Sequence, residues 1–179
     1  PASALRHPVA VEQDKVAQYL YNCPEYLESL FGCFKAGMAT ANTNYRYAAD
    51  ELVYLWDNAD VVAVVFHGSF VPSIEAVRTR VPRVRLWLWV DDGSGPCPPW
   101  AVPYEAATAS APERVVAPWG RSGDHLFLLY TGGTTGMPKG VMWPHRAFLF
   151  ACAGGAGYFN PHGVLTSPEG IAERARDGY

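Results

Sequence analysis

From residue 15 onward the chain alternates between two apolar rhythms, one of period two and one of period 3.6. "KVAQYLY" at 15–21 alternates and is closed by "NCP", the pattern of a strand. Leu27, Leu30, Phe31 and Phe34 then fall at i, i+3, i+4 and i+7, the stripe of an amphipathic helix. Asn22 with Glu25 three residues on is its expected N-terminal cap, and Gly37 its expected stop. The extended piece "MATANTN" leads to a second helix with Leu52, Leu55, Trp56 and Ala59 on one face. "VVAVVF" at 61–66 is continuous and β-branched, as in a strand buried on both faces. "HGS" reads as a loop, "PSIEAVRTRV" as a third helix with Ile74, Val77 and Val81 inward, and "RLWLWV" at 85–90 as another strand.

Strands and helices in this alternation predict an α/β fold, a mostly parallel sheet flanked by helices. Between 91 and 123 Pro, Gly, Ala and Ser take over, which predicts a loop-rich connection. "HLFLLY" at 125–130 returns as a strand, "GVMW" follows as a short one, and "HRAFLFACAGG" reads as a helix. In "SPEGIAERARDG" Ser167 is the expected cap of a last helix and Pro168 its first residue.

Composition narrows the function classes. Half of the 179 residues are hydrophobic and the net charge is −3, which gives no reason to expect a nucleic-acid partner. The densest basic stretch, "RTRVPRVR" at 78–85, reads as a solvated helix end. The four cysteines, Cys23, Cys33, Cys97 and Cys152, form no CxxC pair and show no metal-ligand spacing, so they read as reduced thiols of a cytoplasmic protein. No apolar run approaches the ~20 residues of a transmembrane helix. His67 reads as a satisfied structural group, and Trp56, Trp87 and Trp89 as core. His145, close behind the glycine-rich segment, reads as structural, with a place near substrate as the alternative.

That segment, "YTGGTTGMPKGV" at 130–141, holds four glycines, three threonines and a lysine directly behind an apolar strand. Glycines let backbone N–H groups approach an anion, hydroxyls add donors or a metal contact, and Lys139 adds a point charge. Those features suit a polyphosphate better than a simple turn. The spacing is neither that of a Walker A loop nor that of a dinucleotide fingerprint.

The segment resembles the phosphate loop of the adenylate-forming superfamily, whose members include acyl-CoA synthetases, peptide-synthetase adenylation domains and luciferases. Upstream, "LFGCFKAGMATANTNYRYAADELVYLWDNADVVAVVF" is similar to a segment of that family, Asp124 stands where it often has an aspartate, and His145 matches a histidine soon after the loop. "NTNYRY" looks most like bacterial fatty-acyl or steroid-side-chain CoA ligases.

The resemblance implies that residues 1–179 are part of an N-terminal AMP-binding domain, truncated at both ends and without a C-terminal domain, with 130–141 as its phosphate loop. It implies ATP, Mg2+ and coenzyme A as cofactors, and a fatty or steroid carboxylic acid as substrate. The acid would be activated as its acyl-adenylate and passed to CoA. Thr131, Gly132, Gly133, Thr134, Thr135, Gly136 and Lys139 would hold the phosphates, with Thr131 also touching the metal. No residue of the chain is assigned a catalytic role, and the piece alone is not expected to complete the reaction. An incomplete sheet leaves open edges, so the isolated piece is expected to associate. Gly132 departs from the family's usual Ser or Thr, and Ala48 from its usual Ser or Thr ahead of the second helix. An amino-acid adenylation domain and a non-catalytic remnant are the alternatives.

Overall fold

The structure, a computed structural model, describes residues 11–109, 117–133, 136–152, 163, 165, 167 and 169–176. Seven strands, β1 (Lys15–Tyr19), β2 (Ala39–Asn42), β3 (Val61–His67), β4 (Leu86–Val90), β5 (Val102–Pro103), β6 (Leu126–Gly133) and β7 (Gly136–Pro144), form one sheet in the order β5-β4-β3-β1-β2-β6-β7. Every neighbouring pair is parallel except β6 with β7. The helices are α1 (Pro24–Ala36), α2 (Ala49–Asn58), α3 (Val71–Glu75), α4 (Tyr104–Ala109), α5 (His145–Cys152) and α6 (Glu169–Arg176).

Alternate strand residues go to opposite faces of the sheet. Tyr19, Val64, Phe66 and Trp87 meet Leu52, Leu55 and Trp56 of α2 and Ile74 of α3. Val16, Ala63, Val65 and Leu88 meet Cys33 and Ala36 of α1 and Tyr104 of α4 on the other face. The apolar run of β3 is therefore buried on both sides, as its composition predicts. Burying each such side chain contributes roughly 1.5–3 kcal/mol. Trp56, Trp87 and Trp89 are core residues.

Gly37 ends α1 as expected, with φ 67° and its N–H turned back to the Cys33 and Phe34 carbonyls. Three local expectations are corrected. Asn22 does not cap α1; the extended Cys23 holds that position without a side-chain bond, and Pro24 sets the first turn. Leu30 and Phe34 face inward, but Leu27 and Phe31 are 56% and 43% exposed. The third helix stops at Glu75 and gives way to a 3-10 turn at Arg78–Arg80. Pro82 ends that 3-10 turn, since it disfavours helical backbone at Val81, which has φ −122° and ψ 66°. Ile74, Val77 and Val81 are buried all the same.

The 91–123 stretch is more ordered than its composition suggests, because it contains β5 and α4. Two arginines of 78–85 pair closely with acids: Arg80 bonds Asp50 at 2.7 Å and Arg83 bonds Asp60 at 2.8 Å. Among the described residues no helix is long and apolar enough to cross a membrane.

Candidate functional site

The glycine-rich segment is the tip of a β-hairpin rather than an irregular loop. β6 and β7 pair Tyr130 with Gly140, Thr131 with Lys139, and Gly133 with Gly136. Between the last two pairs β7 carries Met137 and Pro138 against Gly132 alone, which makes a bulge. A bulge is where a strand accepts a proline, since the proline has no N–H for the ladder.

Two of the glycines have local reasons. Gly136 has φ 141°, a backbone that L side chains rarely adopt. A Cβ at Gly140 would lie 3.0 Å from the Tyr130 ring. That ring is buried, and its hydroxyl donates to Asn58 Oδ1 at 2.8 Å. Gly132 has neither reason: its φ is ordinary and a Cβ there would meet nothing within 4 Å.

The base of the hairpin is held from β2. Tyr130 N–H donates to Asn42 Oδ1 at 2.6 Å, and Asn42 Nδ2 donates back to the Tyr130 carbonyl at 3.3 Å. Ala41 with Leu128 is the single register pair between β2 and β6, so this side-chain amide takes the place of the next rung.

Thr131, Gly132, Gly136 and Lys139 are exposed, and Lys139 has no hydrogen bond or ion pair among the described residues. Thr131 and Lys139 stand directly opposite each other across the hairpin, which puts a hydroxyl and an ammonium group on one face. A hydroxyl, a cation and an unobstructed glycine backbone side by side fit a polyphosphate and its counter-ion. Thr134 and Thr135 lie outside the described residues.

His145 does not share that face. It is buried at the start of α5, stacked on Phe34 with ring centroids 3.7 Å apart, and its Nε2–H donates to the Leu126 carbonyl at 3.2 Å. Burial pushes its imidazole down to about 4. His67 accepts the Tyr21 N–H at Nδ1, 3.0 Å away. Both rings are thus packed and hydrogen-bonded within the fold; His7 and His162 lie outside the described residues. Asp124 bonds Arg146 at 2.8 Å on the surface beneath the hairpin.

The residues that sequence reasoning missed are Asn42 and Asn58. An asparagine at a strand end is the only available signal, and nothing in its spacing points to a partner 88 positions away.

Comparison with known proteins bears on this hairpin and the sheet behind it. The family pattern described as AMP-binding enzyme matches residues 2–169. A medium-chain acyl-CoA ligase, Mig, of Mycobacterium avium is 37% identical over 94% of this chain and 30% of its own length. A ligase of Mycobacterium tuberculosis, named for medium- and long-chain fatty acids and 3-oxocholest-4-en-26-oate, is 40% identical over 82% of this chain and 27% of its own length. The chain thus spans about three-tenths of the curated relatives it matches. The crystal structure of the anthranilate CoA ligase AuaEII with anthranoyl-AMP superposes with a TM-score of 0.75 at 24% identity, over 87% of this chain and 30% of that one. Acetoacetyl-CoA synthetase of Streptomyces lividans gives 0.74 at 20%, over 87% of this chain and 25% of that one. These two likenesses concern the fold. The family match over nearly the whole chain concerns descent, and by it the chain belongs to the AMP-binding enzyme family.

Proposed function

We propose that this chain supplies the triphosphate-binding hairpin of an ATP-dependent acyl-CoA ligase, within an N-terminal AMP-binding domain that includes residues 1–179. The observation that carries the reading is the exposed Thr131–Lys139 pair at the end of a buried strand, with Lys139 lacking any other partner among the described residues.

In such a ligase a carboxylate attacks the α-phosphorus of ATP and pyrophosphate departs; the CoA thiol then displaces AMP from the acyl-adenylate. Pyrophosphate leaves with several negative charges, so donors already fixed around it stabilise that charge as it develops. Lys139 supplies a cation. The backbone of Gly132, where a Cβ would meet nothing within 4 Å, would supply an unshielded N–H group, and Gly133, Thr134, Thr135 and Gly136 are the further residues that this reading assigns to the phosphates. Thr131 would be the hydroxyl that helps to hold Mg2+, which would supply charge neutralisation to the departing pyrophosphate. Asn42 keeps the cradle in register with the sheet.

The relatives' names favour a medium- or long-chain fatty acid, or the side-chain acid of a steroid, as the substrate. In this reading the chain works in the cytoplasm, with ATP and CoA at hand. The test is calorimetric titration with Mg-ATP of the wild-type chain and of Lys139→Ala. Loss of the charge-assisted contact is expected to weaken binding at least about tenfold. Equal affinity in the two would remove the hairpin from the phosphate site. ATP–pyrophosphate exchange with fatty, steroid and amino acids, run on a protein carrying this segment together with the rest of a ligase, distinguishes the acid class.

A further inference from the structure

A second cluster of chemistry-bearing side chains lies away from the hairpin, at the carboxyl ends of β1 and β3. These two strands are neighbours in the sheet, but they feed opposite faces. β1 leads into α1, whose Cys33 and Ala36 pack against Val16 and Val65. β3 leads through a 3-10 turn into α3, whose Ile74 packs with Tyr19 and Phe66 on the other side. Connections that part in this way open a crevice outside the strand ends, the usual place for a ligand in an open α/β sheet.

In that crevice the ligating atoms of Cys23, Glu25 and His67 all lie within 4.8 Å of one another. Each is placed by its element. Cys23 caps α1 in extended backbone, Glu25 follows in the first helical turn, and His67 ends β3. His67 is 6% exposed and stacked on Tyr21, whereas Cys23 and Glu25 are half-buried. Sequence spacing could not reveal this set, because the histidine is 44 positions from the cysteine.

We propose that Cys23, Glu25 and His67 bind a divalent transition ion of the zinc class, with a fourth position open to water. One sulfur, one nitrogen and one oxygen are a zinc donor set. Tetrahedral zinc needs its donors ~3.5 Å apart. The cluster therefore has to contract by about 1 Å, through rotation of the two half-buried side chains. His67 now accepts the Tyr21 N–H at Nδ1. Binding through Nδ1 would release that amide to water, and binding through Nε2 would require Nδ1 to carry the proton instead. The Cys23 thiol gives up its proton to solvent as the Zn–S bond forms. Burial and then the hydrogen bond to Glu25 hold the free thiol above its usual range, which counts against a reactive-cysteine reading. A bound ion would clasp the β1–α1 and β3–α3 connections together.

The test is Co2+ titration of the chain after chelator treatment, followed by the thiolate-to-cobalt charge-transfer absorption. Saturation at one equivalent is expected, with displacement by Zn2+. Cys23→Ser should abolish the band, and Glu25→Gln should weaken binding at least about tenfold. His67→Gln should do the same. If His67→Gln fails to fold, the Glu25→Gln result decides. Absence of a band, a band that survives Cys23→Ser, or affinity unchanged in Glu25→Gln would each overturn the site. A rise in melting temperature with Zn2+ in the wild type, absent in Cys23→Ser, is the second expected readout.

Discussion

Asn42 holds both backbone groups of Tyr130, accepting its N–H at 2.6 Å and donating to its carbonyl at 3.3 Å. A side-chain amide thus stands in for a peptide unit at the point where the β2–β6 ladder ends. Asn42→Ala would leave two part-buried backbone groups unpaired, at a cost of about 1–3 kcal/mol. Asn42→Asp keeps the acceptor and loses the donor, so it should cost less. Urea denaturation of both variants checks the order. Equal loss in the two would place the whole effect in the Nδ2–H donation to the Tyr130 carbonyl, which both variants lack.

The glycines of the hairpin should separate into two groups. Gly136→Ala and Gly140→Ala are expected to lower stability by more than about 1 kcal/mol, the first through its backbone angle and the second through the Tyr130 ring. Gly132→Ala should leave stability within about 0.5 kcal/mol. If it weakens Mg-ATP binding nonetheless, the bare backbone at 132 serves the ligand. Melting curves beside nucleotide titrations make the comparison.

His145 gives the fold a definite acid sensitivity. The unfolded imidazole titrates near ~6.5, and burial holds the folded one at about 4. Above the unfolded value both states are neutral and this residue contributes no pH dependence. As pH falls from there toward about 4, the unfolded chain gains a proton that the folded chain does not. Stability should therefore drop across that window, by on the order of 2 kcal/mol. His145→Phe can keep the stacking on Phe34 while removing the titration, so its stability should be flatter between about pH 6.5 and about pH 4.5. An equal slope in the variant would assign the acid sensitivity to other groups.

Ala48 leaves half of a reciprocal cap at the start of α2. Glu51 reaches back to accept the Ala48 N–H at 2.8 Å, but no side-chain oxygen answers. Ala48→Ser should supply it and raise stability by about 1 kcal/mol. A thermal melt with an unmoved midpoint would show that the added hydroxyl does not engage the helix.

Apolar spacing made the inner face of α2 and the doubly buried β3 legible, because burial there follows the period alone. It overextended the stripe of α1, whose inward arc is Leu30, Cys33, Phe34 and Ala36 with the small Ser29 and Gly32 between them, while Leu27 and Phe31 turn outward. A stripe identifies a helix but does not give the arc that the sheet will cover. The segment at 130–141 stands out in the sequence by its residue types, but its hairpin pairing does not, since glycine content cannot distinguish a loop from a paired turn. Asn42 and the Cys23–Glu25–His67 set depend on pairings between distant segments, and no local pattern carries those.

The single rung between Ala41 and Leu128 also bears on the order of assembly. The β1, β2, β3 and β4 pairings close over modest lengths of chain, whereas Asn42 and Tyr130 are 88 residues apart. The β6–β7 hairpin can form by itself, then dock late, across the costlier closure. By the same reasoning it should be among the first parts to lift away, with its amides exchanging before those of β1 and β3. The strand pair proposed to grip a triphosphate would then ride on the sheet as a hinged flap, and a nucleotide bound to it would register as slower opening of that flap.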